Sequence, residues 1–117
     1  MVLPANVIED IRYKIGSLDI CKITDDNKID ACGFQKPKDF SDLKSEIGKE
    51  CTDCINAIER LEQAYFKARD YISNNHGSLV DGYIIRGNDN HLDALVDEYK
   101  SIQEQLEKAF ADYEDLN

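Results

Sequence analysis

Several features that would announce a chemical activity are missing from this sequence. It contains no glycine-rich phosphate loop, no G-x-S-x-G motif and no H-E-x-x-H motif. The two histidines, His76 and His91, have no cysteine or serine nearby at a spacing that suggests a nucleophile and its base. We therefore predict a non-enzymatic protein with no catalytic residues, no metal ligands and no cofactor.

Long apolar runs and an excess of positive charge are also missing. No apolar segment approaches the roughly 18 residues that a membrane span needs, and the N-terminus lacks a basic region followed by a hydrophobic one. We expect no membrane association, no secretory signal and a cytoplasmic location. The alternative is a mature secreted chain whose signal has been removed. The chain carries 24 acidic and 14 basic residues, a formal net charge of −10, which disfavours direct binding to nucleic acid.

What the sequence does contain is apolar residues that recur at alternating spacings of three and four. The first seam consists of Phe40, Ile47, Cys51, Cys54, Ile58, Leu61, Tyr65, Ala68 and Ile72. The second seam consists of Leu92, Leu95, Tyr99, Ile102, Leu106, Ala109, Tyr113 and Leu116. This spacing is typical of coiled-coil helices, so we predict a long helix over about 41–74 and another over about 91–115.

The predicted helices are too long to fit inside a globule of 117 residues, so they must lie side by side. The short connection between them favours an antiparallel helical hairpin within a single helical domain over 1–117. Apolar residues flanking the seams widen the buried stripe and indicate a third neighbour. This neighbour is either an N-terminal helix or a second copy of the chain.

The N-terminal segment predicts that additional helix. Apolar residues recur at helical spacing from Val7 to Leu18, and Asn6 with Glu9 resembles a capping box. We expect the helix to run from about 6 to about 18, which gives an all-α fold, a small helical bundle.

The segment from about 20 to about 33 has a different character. β-favouring residues flank a polar stretch, which allows either a small β-hairpin or an ordered loop. In the hairpin interpretation, a four-residue loop would place Thr24 opposite Ile29 and Cys21 opposite Cys32.

The C-x-x-C pair formed by Cys51 and Cys54 has three interpretations. Both residues occupy core positions of the first seam, so we expect buried free thiols in a reducing compartment. A zinc site is an alternative if Cys21 and Cys32 supply two further ligands. A redox pair is a weaker alternative, because no proline or aromatic residue shapes a loop around the two cysteines.

The last predicted helix carries most of the acidic excess of the chain. Its acidic face, on the side away from the second seam, consists of Asp93, Asp97, Glu104, Glu107 and Glu114, with Lys100 and Lys108 as the balancing cations. Such a face is either solvated or binds a partner with a basic surface.

The connector between the two long helices holds a second candidate surface. Tyr83, Ile85 and Arg86 lie outside both seams, and the bulky apolar residues there either cap the open end of the hairpin or form an exposed contact site.

In size and in its two long helices, the chain resembles the helical-hairpin proteins of bacterial type VII secretion, the W-x-G class. It has no Trp, and Tyr99 and Tyr113 are followed four residues later by Gln103 and Asn117 instead of the acidic residue of a Y-x-x-x-[DE] tail. The resemblance concerns architecture alone, and it implies a secretion or assembly partner of the helical-hairpin type.

We therefore predict a helical interaction or regulatory protein that binds another protein through helix faces and an acidic surface. We also expect a homo-oligomer, a dimer. The alternatives are an acidic inhibitor or immunity-type protein that blocks a basic or nucleic-acid-binding target surface, a small zinc-binding module, and the secretion or assembly partner.

Overall fold

The computed structural model describes residues 3–18, 22–23, 28–30, 37–76, 83–85 and 90–116. Four helices lie in these ranges: α1 (Ala5–Gly16), α2 (Pro37–Ile47), α3 (Thr52–His76) and α4 (Asn90–Leu116). Three short strands accompany them: β1 (Lys22–Ile23), β2 (Lys28–Asp30) and β3 (Tyr83–Ile85). Among the described residues, no helix is both long enough and apolar enough to cross a membrane.

Helices α3 and α4 form the predicted hairpin and pack on each other more extensively than any other pair of elements. Helix α4 begins and ends within one residue of the expected bounds. The core between the two helices contains fully buried Leu61 and Tyr65 from α3 and Leu92, Tyr99 and Leu106 from α4. The all-α prediction and the hairpin are confirmed.

Helices α1 and α2 complete the bundle. Helix α1 contacts both α2 and α4, and α2 also contacts α3, so the N-terminal helix is the third neighbour that the wide apolar stripe indicated. The predicted capping box is wrong. Pro4, in an extended conformation, is the N-cap residue without a side-chain hydrogen bond, and its carbonyl accepts the amides of Val7 and Ile8 at 3.0 Å.

The first seam does not form one helix, so the predicted continuous helix over 41–74 is corrected to two. Helix α2 ends at Ile47, and Gly48 adopts a φ of 57°, a left-handed conformation that favours glycine. The Gly48 amide donates to the Lys44 carbonyl at 2.9 Å, which closes the end of α2. The chain re-enters a helix at Thr52, and the apolar spacing continues across the break.

The predicted β-hairpin is present, and β3 extends it to an antiparallel sheet in the order β1-β2-β3. The predicted register is wrong by one residue. Ile29 lies opposite Ile23 instead of Thr24, because Lys28 belongs to β2, where it pairs with Ile85 of β3, and is not part of the turn. The other predicted pair, Cys21 with Cys32, lies outside the described residues.

Candidate functional site

The structure places all five residues of the acidic face on α4. Asp97, Glu104 and Glu107 are exposed, whereas Asp93 and Glu114 are half-buried. In the described part of the chain, Glu104 and Glu107 form no ion pair and no side-chain hydrogen bond. Glu104 and Glu107 therefore project into solvent with no direct cationic partner among the described residues.

Glu114, at the end of the acidic face, is used within the chain. Arg12 of α1 donates to both of its carboxylate oxygens, with Nε to Oε1 at 3.2 Å and Nη2 to Oε2 at 2.5 Å. The hydrogen bond with Glu114 and its negative charge raise the pKa of the Arg12 guanidinium. Glu114 thus links α4 to α1, and its predicted role in partner binding stays a prediction.

A groove of about 360 Å³ lies between α1 and α4 beside this ion pair. Its apolar floor includes Ile15 and Phe110, each 2 % exposed. Gly16 and Ala111 also line it, and a Cβ atom added at Gly16 would meet nothing within 4 Å. Because Glu107 lines the same groove, the acidic face and the groove form one continuous surface.

The inner side of α4 contains a polar feature that the sequence pattern missed. The Tyr99 hydroxyl donates to the Leu18 carbonyl, and Gln103 Nε2 donates to the Ile15 carbonyl at 3.0 Å. Both side chains are buried, and they satisfy one carbonyl in the last turn of α1 and one just after the helix ends. The spacing of Tyr99, Gln103 and Leu106 places Gln103 on the core side of α4, although glutamine is not an apolar residue.

A second groove, of about 450 Å³, lies between α3 and α4. Its lining includes Ala64, Ile102 and three charged residues, Arg60, Lys67 and Glu98. Lys67 and Glu98 approach to 3.6 Å between Nζ and Oε2, which links the two helices across the groove. Ile102, a predicted seam residue, is only half-buried, which leaves a mixed apolar and charged surface.

The connector surface is only partly described. Tyr83 and Ile85 lie in β3, where they pair with Asp30 and Lys28 of β2, so this segment is a strand. Arg86 lies outside the described residues. Whether the connector caps the hairpin or contacts a partner stays a prediction.

Cys51 and Cys54 form a disulfide, which corrects the expectation of free thiols. The reason is the helix break. Within a continuous helix, the Cβ atoms of residues three apart are about 5–6 Å apart, whereas a disulfide needs about 3.8 Å. Because Cys51 precedes the first residue of α3, its side chain can turn towards Cys54, and the signal in the sequence was Gly48 just ahead of the pair.

The described residues show no arrangement of side chains that could bind a metal ion. Among them, no group of three or more His, Cys, Asp or Glu side chains could hold an ion. In the disulfide form, Cys51 and Cys54 have no thiolate to offer. The zinc alternative also needs Cys21 and Cys32, which lie outside the described residues, so it stays a prediction.

Comparison with known protein families, with curated proteins and with solved structures finds no match to this chain.

Proposed function

We propose that this chain is a non-enzymatic helical interaction protein that binds a partner with a basic surface through the acidic face of α4. The observation that carries the proposal is the exposure of Asp97, Glu104 and Glu107 on one side of a helix whose other side is buried in the core. Glu104 and Glu107 have no ion-pair partner in the described part of the chain. A basic partner would supply the missing cations.

The physical basis is charge complementarity on a rigid support. Helix α4 is fixed on α3 and tied to α1 by Gln103 and by Glu114, so the carboxylates keep a constant spacing. Complementary charges steer encounter and fix register, and their effect weakens as salt screens them. Each exposed pair contributes about 0.2–1 kcal/mol, so three carboxylates would change the affinity by about 3- to 140-fold.

The test is affinity capture from the native cell with three versions of the protein. The first is wild type, and the second carries Asp97→Asn, Glu104→Gln and Glu107→Gln. The third is a matched control with the same change in charge on exposed residues of α3, namely Asp53→Asn, Glu59→Gln and Asp70→Asn. We expect one set of proteins to be captured by wild type and control but not by the α4 variant.

The captured partner is then measured with purified components at increasing salt. We expect the affinity of wild type and control for the partner to fall steeply as salt increases, and the affinity of the α4 variant to depend only weakly on salt. Equal capture by all three versions, or binding that does not depend on salt, would rule out the acidic face as the binding surface.

The inhibitor or immunity-type alternative uses the same carboxylates and differs in the target. If the partner binds nucleic acid, the protein displaces a duplex from it in the purified system, and the α4 variant does not. A partner whose nucleic-acid binding is unchanged would exclude this alternative.

The proposal includes two finer predictions, a cytoplasmic location and a homodimer. The groove between α3 and α4 offers a surface for a second copy, since Ile102 lines it and is half-buried. The same surface suits the assembly-partner alternative. A molar mass in solution that stays that of one chain at high micromolar concentration would exclude the dimer.

A further inference from the structure

The corner between α2 and α3 has a local geometry that the proposed binding function does not use. Cys51 immediately precedes α3, and its carbonyl accepts the Ile55 amide at 3.1 Å, as expected for the N-cap residue of that helix. Cys54 lies in the first turn and is joined to Cys51 by the disulfide. The bond therefore closes over the start of α3 and not within its interior.

The Cys51 sulfur has a hydrogen-bond donor already in place. The Cys54 amide, one of the four at a helix start that have no partner within the helix, donates to Cys51 Sγ at 3.2 Å. If the bond is reduced, the same amide faces the Cys51 sulfur, and the positive end of the α3 dipole adds to it. Both contributions stabilise a thiolate at Cys51.

The two cysteines differ in exposure. Cys51 is 7 % exposed, whereas Cys54 is fully buried at 0 %. Attack on a disulfide begins at the sulfur that an external thiol can reach. Cys51 is therefore the entry point, and Cys54 is the buried resolving cysteine.

We propose that Cys51 and Cys54 form a reversible dithiol–disulfide pair that exchanges with a low-molecular-weight monothiol and its disulfide. Because Cys51 is only 7 % exposed, a small reagent is favoured over a protein thiol. A disulfide in a cytoplasmic protein is usually transient, catalytic or redox-sensing, so the exchange also reconciles the bond with the proposed location. It does not depend on binding by the acidic face.

The exchange proceeds in two steps. An external thiolate attacks Cys51 Sγ, the bond between the cysteines breaks, and its electron pair goes to Cys54 Sγ, which takes up a proton. A second external thiolate then attacks the sulfur attached to Cys51, and Cys51 leaves as a thiolate. The protein disulfide is reduced by two electrons, and two monothiols are oxidised to one disulfide.

The experiment uses the full chain with Cys21→Ser and Cys32→Ser, so that every signal comes from the pair. The protein is equilibrated with reduced and oxidised glutathione at varied ratios, free thiols are alkylated, and intact mass counts them. We expect a two-electron transition between no alkylated thiol and two, with an unchanged circular dichroism spectrum throughout.

Two single variants assign the roles. Cys54→Ala keeps an apolar group at the buried position, and Cys51→Ser keeps a capping oxygen at the helix start. With oxidised glutathione, Cys54→Ala accumulates one glutathionyl group about tenfold faster than Cys51→Ser. Equal rates would overturn the assignment of Cys51 as the entry point.

Reduction of the pair only under conditions that unfold the protein would overturn the exchange itself and leave a structural disulfide. So would two alkylated thiols at every ratio, since the pair would then not form a disulfide. The wild-type pair alone decides this, whatever the stability of the single variants. Neither result bears on the charge variants of α4, so failure of this inference and failure of the proposed function are distinguishable.

Discussion

The two seams have the same apolar spacing but fold differently. The second seam lies on one unbroken helix, α4 (Asn90–Leu116), whereas the first is divided between α2 (Pro37–Ile47) and α3 (Thr52–His76). In both cases the described seam side chains are buried or half-buried. Apolar periodicity therefore reports which side of the chain faces the core, and it does not report whether the helix is continuous.

The break gives the first seam properties that the second lacks. It lets α2 pack on both α1 and α3, and it places Cys51 at the start of a helix, where a disulfide can close. The unbroken second seam instead gives α4 one long solvent-facing side, the site of the acidic face. The candidate redox pair and the candidate binding surface thus come from the broken and the continuous seam respectively.

The largest expected effect tests whether α2 belongs to the core despite the break. Phe40 is fully buried, and its ring meets that of Tyr65 edge-on with centroids 5.5 Å apart. We expect Phe40→Ala to lower the free energy of unfolding by about 3–5 kcal/mol, because it leaves a cavity between α2 and α3. Urea unfolding followed by circular dichroism measures the change.

The control is the neighbouring exposed residue in the same helix. Ser41→Ala should change the free energy of unfolding by no more than about 0.5 kcal/mol. A loss below about 1 kcal/mol for Phe40→Ala would mean that α2 contributes little to the core, since truncating a buried phenylalanine normally costs several times more.

Two smaller effects on stability, of opposite sign at Gly48 and Gly16, test whether Gly48 causes the break in the first seam. Gly48 has a φ of 57°, and an added Cβ would meet only the Ser45 carbonyl oxygen at 4.0 Å, so the cost of Gly48→Ala is one of backbone conformation. We expect a loss of about 1–2 kcal/mol. Gly16→Ala, the matched control at the last residue of α1, has open space and should gain about 0.5–1 kcal/mol.

Both variants are measured by thermal and urea unfolding. If Gly48→Ala stabilises the protein as Gly16→Ala does, then Gly48 is not what ends α2, and a continuous helix through the first seam would again be the better interpretation.

The sequence predicts the buried faces well, because burial follows the spacing of apolar residues. Leu61, Tyr65, Tyr99 and Leu106 are all fully buried as expected. It fails at the break because the spacing from Ile47 to Cys51 and Cys54 keeps the heptad phase, although the chain leaves the helix between them.

The candidate sites were predictable to different degrees. Exposed carboxylates such as Glu104 follow directly from helix geometry, since they lie opposite the apolar stripe. The engagement of Glu114 by Arg12 was not predictable, because it depends on how α1 packs against α4. The disulfide was missed for the same reason as the break, since a helix boundary at Cys51 decides whether the two sulfurs can meet.

The smallest effect concerns an ion pair that holds α2 beside α1. Lys14 Nζ lies 2.5 Å from Glu46 Oε1 of α2 and 3.0 Å from Asp10 Oδ2 of α1. The hydrogen bonds to Glu46 and then to Asp10 raise the pKa of Lys14 above its ordinary value of 10.5. A raised pKa means that the folded state binds the Lys14 proton more tightly than the unfolded state. The stabilisation from the Lys14 charge is therefore complete at neutral pH and is lost as pH rises above 10.5.

We therefore expect Lys14→Met to have a lower free energy of unfolding than wild type at neutral pH. The difference in free energy of unfolding between the two proteins should narrow as pH rises above about 10.5. Urea unfolding gives the free energy of unfolding of both proteins at each pH. The difference between these two free energies cancels the contribution of every titratable group that the proteins share. Lys38→Met, at an exposed position of α2, is the control and should show no such narrowing. A constant difference between Lys14→Met and wild type across the alkaline range would show that Lys14 stabilises the α1–α2 contact by packing its aliphatic chain and not by charge, because packing does not depend on protonation.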